Sequence, residues 1–160
     1  MRREAIPTPT ENKSSKPYRI YTDPYGDPEG RAHRPVSDAM SPVTTCVGPE
    51  VRLSDVRQLL ERQHLPGAPV VAPGDQLLGV VLWRDLFASP LASAADVMHR
   101  ALALPAWTPI GKAAAIMSSE GIDLAAVVDF ERRVVGLLAA LDIVRWLARE
   151  DGYVISAEST

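Results

Sequence analysis

The sequence predicts a mixed α/β (α+β) fold: two pseudo-symmetric β-α-β-β-α units packed face to face, preceded by a Pro-rich N-terminal tail. Three observations carry this expectation. A long aliphatic pattern recurs once, 57 positions further along the chain. Within each copy the apolar spacing changes from helical to strand-like and back. The first 35 of the 160 residues hold six of the fourteen prolines and almost no aliphatic pattern, a composition that buries too little surface to build a core.

In the repeat, Val70, Val71, Gly79 and Asp85 return as Val127, Val128, Gly136 and Asp142, while Leu77, Leu78, Val80, Val81 and Leu86 return as other aliphatics. Upstream, Leu53, Val56, Leu59 and Leu60 match Ile110, Ala113, Ile116 and Met117 at the same spacing. Asp38 and Met40 match Asp96 and Met98 at 58, so one loop residue separates the copies. A repeat of this length, present twice, indicates a duplicated supersecondary unit whose halves cover each other's apolar faces, not a solenoid. The chain therefore divides into a tail (1–35), a first unit (36–91), a second unit (92–150) and a short C-terminal tail (151–160).

Each unit opens with a short helical turn, near Asp38 to Met40 in the first, followed by a small strand at Val43–Val47 holding Cys46 as a small core residue. A helix over Leu53–Gln63 follows from the apolar stripe Leu53, Val56, Leu59 and Leu60. Val70–Ala72 and Leu77–Leu82 are near-continuous aliphatic runs joined by Pro73-Gly74-Asp75, which reads as a hairpin covered on both faces. A helix then opens at Asp85. In the second unit Thr108 caps a helix whose first residue is Pro109, and Val144, Trp146 and Leu147 mark a longer closing helix from Asp142.

The tail carries seven basic and five acidic side chains, leaving the remainder ten basic and fifteen acidic, a net −5. An acidic body and a weakly basic tail exclude a nucleic-acid footprint and give nothing that would draw an anionic membrane. Within the tail, Tyr18 to Tyr21 is a compact apolar cluster, and Asp23 to Gly30 has the chemistry of consecutive turns. The expectation is a loosely draped leader, with docking on the body as the lesser alternative. Asp23, Asp27 and Glu29 lack the spacing of a calcium loop.

One cysteine excludes an internal disulfide framework, and His33, His64 and His99 are too scattered for a local metal site. No apolar run is long enough to span a membrane, and the start lacks a signal peptide's apolar stretch. A cytoplasmic protein is expected. Hydrolase, nucleotide-triphosphatase and metalloprotease motifs are absent, so no enzyme is expected.

The doubled unit resembles the cystathionine-beta-synthase-type (CBS) domain, and the pair resembles a Bateman module, its usual tandem. The resemblance covers residues 36 to 150 and rests on the Asp-x-Met openings (Asp38/Met40, Asp96/Met98), the Pro69-Val70-Val71 run and the glycine-to-aspartate endings Gly79–Asp85 and Gly136–Asp142. It implies that Asp85 and Asp142 bind the ribose of an adenine nucleoside, two carboxylate oxygens accepting from a cis-diol. Phosphates would lie at the start of the helix each aspartate opens, and adenine against Val70 and Val127. Each aspartate has an alternative role as a helix cap.

The chain departs from the family pattern in two ways. The hydroxyl residue expected three positions before each aspartate is Leu82 in one copy and Ala139 in the other, and the preceding residue is Arg84 in one and Leu141 in the other. Asp142, beside small Ala139, is thus expected to be the stronger ribose contact, with Arg84 reaching a phosphate across the shared cleft. Trp83 reads as packing. The resemblance implies a stand-alone regulatory module, homodimeric, sensing AMP, ADP, ATP or S-adenosylmethionine and modulating an unknown protein partner. The alternative is a ligand-free dimerisation or protein-interaction module with degenerate nucleotide sites.

Overall fold

A computed structural model describes residues 18–20, 33–42 and 45–152. The first described segment, β1 (Tyr18–Ile20), is followed by a 3-10 turn at Val36–Asp38 and β2 (Ser41–Pro42). The first unit continues with α1 (Leu53–Gln63), the hairpin β3 (Gly67–Ala72) and β4 (Gln76–Leu82), and a 3-10 helix at Trp83–Phe87. The second unit comprises α2 (Ala94–Val97), β5 (Ala101–Pro105), α3 (Ile110–Glu120), β6 (Leu124–Val128), β7 (Val134–Ala139) and α4 (Ala140–Glu150).

Local sequence explains most of these bounds. Leu53, Val56 and Leu60 bury one stripe of α1, which stops where His64 turns into the left-handed region at φ 52°. In the hairpin turn Gly74 and Asp75 both take positive φ, which glycine adopts freely and aspartate tolerates. Both hairpins, β3 with β4 and β6 with β7, carry a register shift at the same place, between Val70 and Val71 and between Val127 and Val128. The repeat therefore extends to backbone irregularities.

Three apolar clusters follow from the alternation of side chains along each strand. In β6, Ala125 and Val127 face α3 and α4, where Leu104, Ile143 and Trp146 complete the second unit's own core. Leu124, Ala126 and Val128 face the other way and meet Leu77 and Val80 of β4 in a central layer between the units. Val70, Val81, Leu53 and Leu60 fill the first unit's core. Each buried aliphatic side chain contributes about 1.5–3 kcal/mol relative to exposure, so sheets covered on both faces are what hold the two units together.

The opening segments are exchanged between units. β2, which lies at the head of the first unit, pairs antiparallel with β7 of the second, Ser41 opposite Leu137. Correspondingly, His99, at the head of the second unit, bridges to Val80 in β4 of the first. Gln76 bridges to Arg133, its own equivalent, at the pseudo-two-fold axis.

Four expectations are corrected. At Tyr18–Ile20 the tail is not a draped leader but a parallel edge strand on β5, Tyr18 opposite Ala101; an open strand edge is a template for such pairing. The turn chemistry at Asp23–Gly30 lies outside the described residues. Of the strand expected at Val43–Val47, Val43 and Thr44 also lie outside them, and Val47 makes a parallel bridge to Val70. Cys46 is only half-buried, outside regular structure, and partial burial, then Asp75, pushes its thiol pKa up. The helix after Thr108 begins at Ile110 with Pro109 as N-cap and no side-chain cap, because Thr108 is buried and its backbone N–H turns back to Pro105 O. Neither aspartate opens its helix: Asp85 and Asp142 stand at the third helical position, after N-caps Leu82 and Ala139.

Candidate functional site

The end of β4 and the end of β7 deliver the two aspartates. Each chain segment leaves its strand, turns at the N-cap, and places a carboxylate so that it reaches back over the first turn. Leu82 N–H donates to Asp85 Oδ2 at 2.8 Å, and Ala139 N–H donates to Asp142 Oδ2 at 2.8 Å. The expected N-cap role is therefore not taken; each aspartate instead makes the N3 half of a capping box, accepting from the N-cap backbone N–H.

Beyond that shared contact the half-sites differ. Asp85 Oδ1 lies 2.8 Å from His99 Nε2, so both of its oxygens are engaged. Asp142 Oδ1 has no partner among the described residues, and Asp142 is half-buried. His99 comes from the segment that opens the second unit, which makes the first half-site a composite of both units. Ser41 holds the equivalent place on β7, with a side chain too short to span what an imidazole spans.

The remaining candidates separate. Val70 and Val127, expected against adenine, are instead fully buried core residues, each in the interior of its own unit. Their side chains point from the strand into the helix layer, the face opposite the central cleft, because strand alternation gives the cleft to their neighbours. Leu82 and Ala139 are partly buried against the central apolar cluster. Arg84 is exposed and makes no ion pair among the described residues. Trp83 packs edge-to-face on Phe87, ring centroids 6.2 Å apart, and the Arg57 guanidinium lies over the Phe87 ring at 5.6 Å. In the first unit the phosphate cradle expected at the helix start is reduced to a five-residue 3-10 helix, too short to sum backbone dipoles as α4 does.

Sequence reasoning missed His99 and Ser41. The signal was present: each follows the methionine of an Asp-x-Met opening, so the offset of 58 that aligns Met40 with Met98 aligns Ser41 with His99.

The Asp-x-Met aspartates have structural partners instead. Asp96 accepts from Ser93 N–H at 2.8 Å and from the Ser93 hydroxyl at 3.0 Å, and these bonds, the backbone one foremost, hold its carboxyl below the ordinary range. Asp38 pairs with Arg34 at 2.7 Å, which raises the guanidinium pKa further. No group of three or more His, Cys, Asp or Glu among the described residues is placed to hold a metal. No described helix is long and apolar enough to cross a membrane. A groove of about 370 Å³ between α3 and α4 is walled by Met117, Ile122, Asp123, Ile143 and Val144, and neither Asp85 nor Asp142 lines it.

Paired α/β units with exchanged opening segments and an aspartate after the last strand of each define a tandem of one duplicated domain. A family model for the CBS domain matches residues 36–92 and 94–149, and the chain belongs to that family. Among curated proteins it is 34% identical over 100 residues to inosine-5'-monophosphate dehydrogenase of Thermoplasma acidophilum, covering 61% of this chain and only 20% of that enzyme. Among solved structures it is similar to CBSX2 in complex with AMP, at 24% identity and a TM-score of 0.67, covering 74% of this chain and 98% of that one. It is also similar to a CBS domain pair in complex with 5'-methylthioadenosine and S-adenosyl-L-methionine, at 23% identity and a TM-score of 0.64, covering 72% and 97%.

Proposed function

We propose that this CBS pair is a stand-alone regulatory module that binds an adenosine-containing ligand, AMP, ADP, ATP or S-adenosylmethionine, and transmits the occupied state to a protein partner. One observation carries the reading: Asp142 presents a carboxylate anchored on one side by Ala139 N–H and open on the other, beside a side chain no larger than a methyl group. That is the acceptor geometry a ribose cis-diol requires, since an anchored oxygen still has a lone pair to offer. The AMP and S-adenosyl-L-methionine complexes of similar pairs support the same class of ligand. Arg84, exposed and unpaired with Asp85, is available to phosphate as a charge contact. A thermal-shift panel of adenosine, AMP, ADP, ATP and S-adenosylmethionine tests this: at a hundredfold excess over Kd, linkage is about 2.7 kcal/mol, several degrees for a domain of this size. If none moves the transition at millimolar concentration, the reading is lost.

A second reading, a ligand-free interaction module, draws on the missing hydroxyls at Leu82 and Ala139 and on the occupied carboxylate of Asp85. Both readings share a homodimer. Leu141, Val144 and Leu147 recur every three residues along α4 and are exposed, Val144 at 59%, and form the apolar face we assign to a second copy.

A further inference from the structure

Resting on the adenosine reading, we propose that His99 is the gate of the first half-site, so that this chain takes one adenosine-containing ligand, at Asp142, and the Asp85 half-site stays closed unless the imidazole leaves. The two carboxylates are equivalent in the repeat and bear the same backbone bond, yet among the described residues only Asp85 has a second partner. A diol approaching Asp85 must displace the imidazole and forfeit its hydrogen bond, whereas a diol approaching Asp142 breaks no hydrogen bond with a described side chain. Leu82 adds bulk on the same side where the other copy has Ala139.

His99 is well placed to serve as a gate. Its backbone is pinned by a reciprocal pair of bonds, Val80 N–H to His99 O at 3.0 Å and His99 N–H to Val80 O at 2.8 Å. Gly79 lies directly beneath, so close that a Cβ there would sit 2.7 Å from His99 O. The main chain is therefore fixed while the ring, bonded to Asp85, has solvent on its other side: the His99 side chain is 48% exposed, the Asp85 side chain 12%. A fixed hinge, a half-exposed ring and a mostly covered carboxylate make ligand access to Asp85 depend on one side-chain rotation. At the equivalent place Ser41 leaves the second half-site without such a cover.

Isothermal titration of AMP, and separately of S-adenosylmethionine, into wild type, H99S, D142A and the H99S/D142A double variant decides the matter. H99S copies the residue of the other copy at a half-exposed position, and a thermal melt of each variant without ligand checks the fold; D142N, which keeps an acceptor for Ala139 N–H, replaces D142A should that protein not fold. The expected stoichiometries are one per chain for wild type, two for H99S, none for D142A and one for the double variant, with the second H99S site within about tenfold of the first in Kd. A stoichiometry of one for H99S, or no binding by the double variant, overturns the gate while leaving the adenosine reading intact. Wild-type binding that survives D142A and is lost in D85A overturns it too. If no protein of the four binds either probe at millimolar concentration, the adenosine reading itself fails, and the gate with it.

Discussion

At Gly136 a Cβ would collide with the Met40 side chain and come within 3.1 Å of Ser41 O; at Gly79 it would meet His99 O at 2.7 Å and Met98 Sδ at 3.1 Å. The glycine of each strand and the methionine of each opening segment are thus one contact, made across the units. The two glycines are not equally sensitive. Met40 ends in a flexible thioether that can swing aside, whereas the carbonyl over Gly79 belongs to a ladder held at both ends. G79A should therefore cost about 1–3 kcal/mol as overpacking against backbone, and G136A less. Differential scanning calorimetry checks the order: equal losses, or a larger one for G136A, would show that the methionine cannot move. Asp142 has a double role at this scale. D142A should lower stability by about 0.5–1.5 kcal/mol through the lost hydrogen bond to Ala139 N–H and remove any adenosine-dependent stabilisation besides.

Among the elements, α2 is only four residues long, and its start depends on Asp96. Its carboxyl is held below the ordinary 3.8 by the Ser93 bonds, so it stabilises the fold when ionised. That contribution is fully present above the unfolded value near 4 and fades as pH falls through the lower folded value. D96N should accordingly melt below wild type at neutral pH, with the gap closing under acid conditions; a gap that is constant from pH 7 to pH 3 would mean that charge plays no part. β1 makes a different kind of prediction. Because its backbone covers the edge of β5 at Ala101–Ala103, truncation of residues 1–20 should speed amide exchange there and leave β6 and β7, paired on both sides, unchanged. Uniform exchange in both proteins would deny the strand a stable place on that edge.

For the molecule as a whole, the proposed dimer places the exposed apolar side of α4 against a second copy. V144E puts a charge at an exposed position with no role in the unit's own core, so it should leave the monomer folded and lower the mass seen by light scattering from two chains to one. An interface of ordinary size persists at micromolar concentration. A single-chain mass for wild type there would remove the dimer, and a dimeric V144E would place the interface elsewhere.

Most of the architecture was legible in the sequence because it depends on local periodicity. The stripe of Leu53, Val56 and Leu60, the aliphatic hairpins and the offset of 57 specify helix, strand and duplication from neighbours a few residues apart. The aspartates were legible too, as residues that close each unit, since a cap is a local bond to a position three residues back. What sequence could not supply was the exchange of opening segments between units, for which nothing near Met40 names Gly136. From that exchange follow the contact of His99 with Asp85 and the absence of its counterpart at Asp142. It also required tertiary structure to turn Val70 and Val127 away from the cleft, because an unbroken aliphatic run has no polar alternation to say which face is inside, and to seat Tyr18–Ile20 on an edge 83 residues away. Pairing partners distant in the chain are chosen by which surfaces remain uncovered once the local elements have formed, and that is a property of the assembled fold.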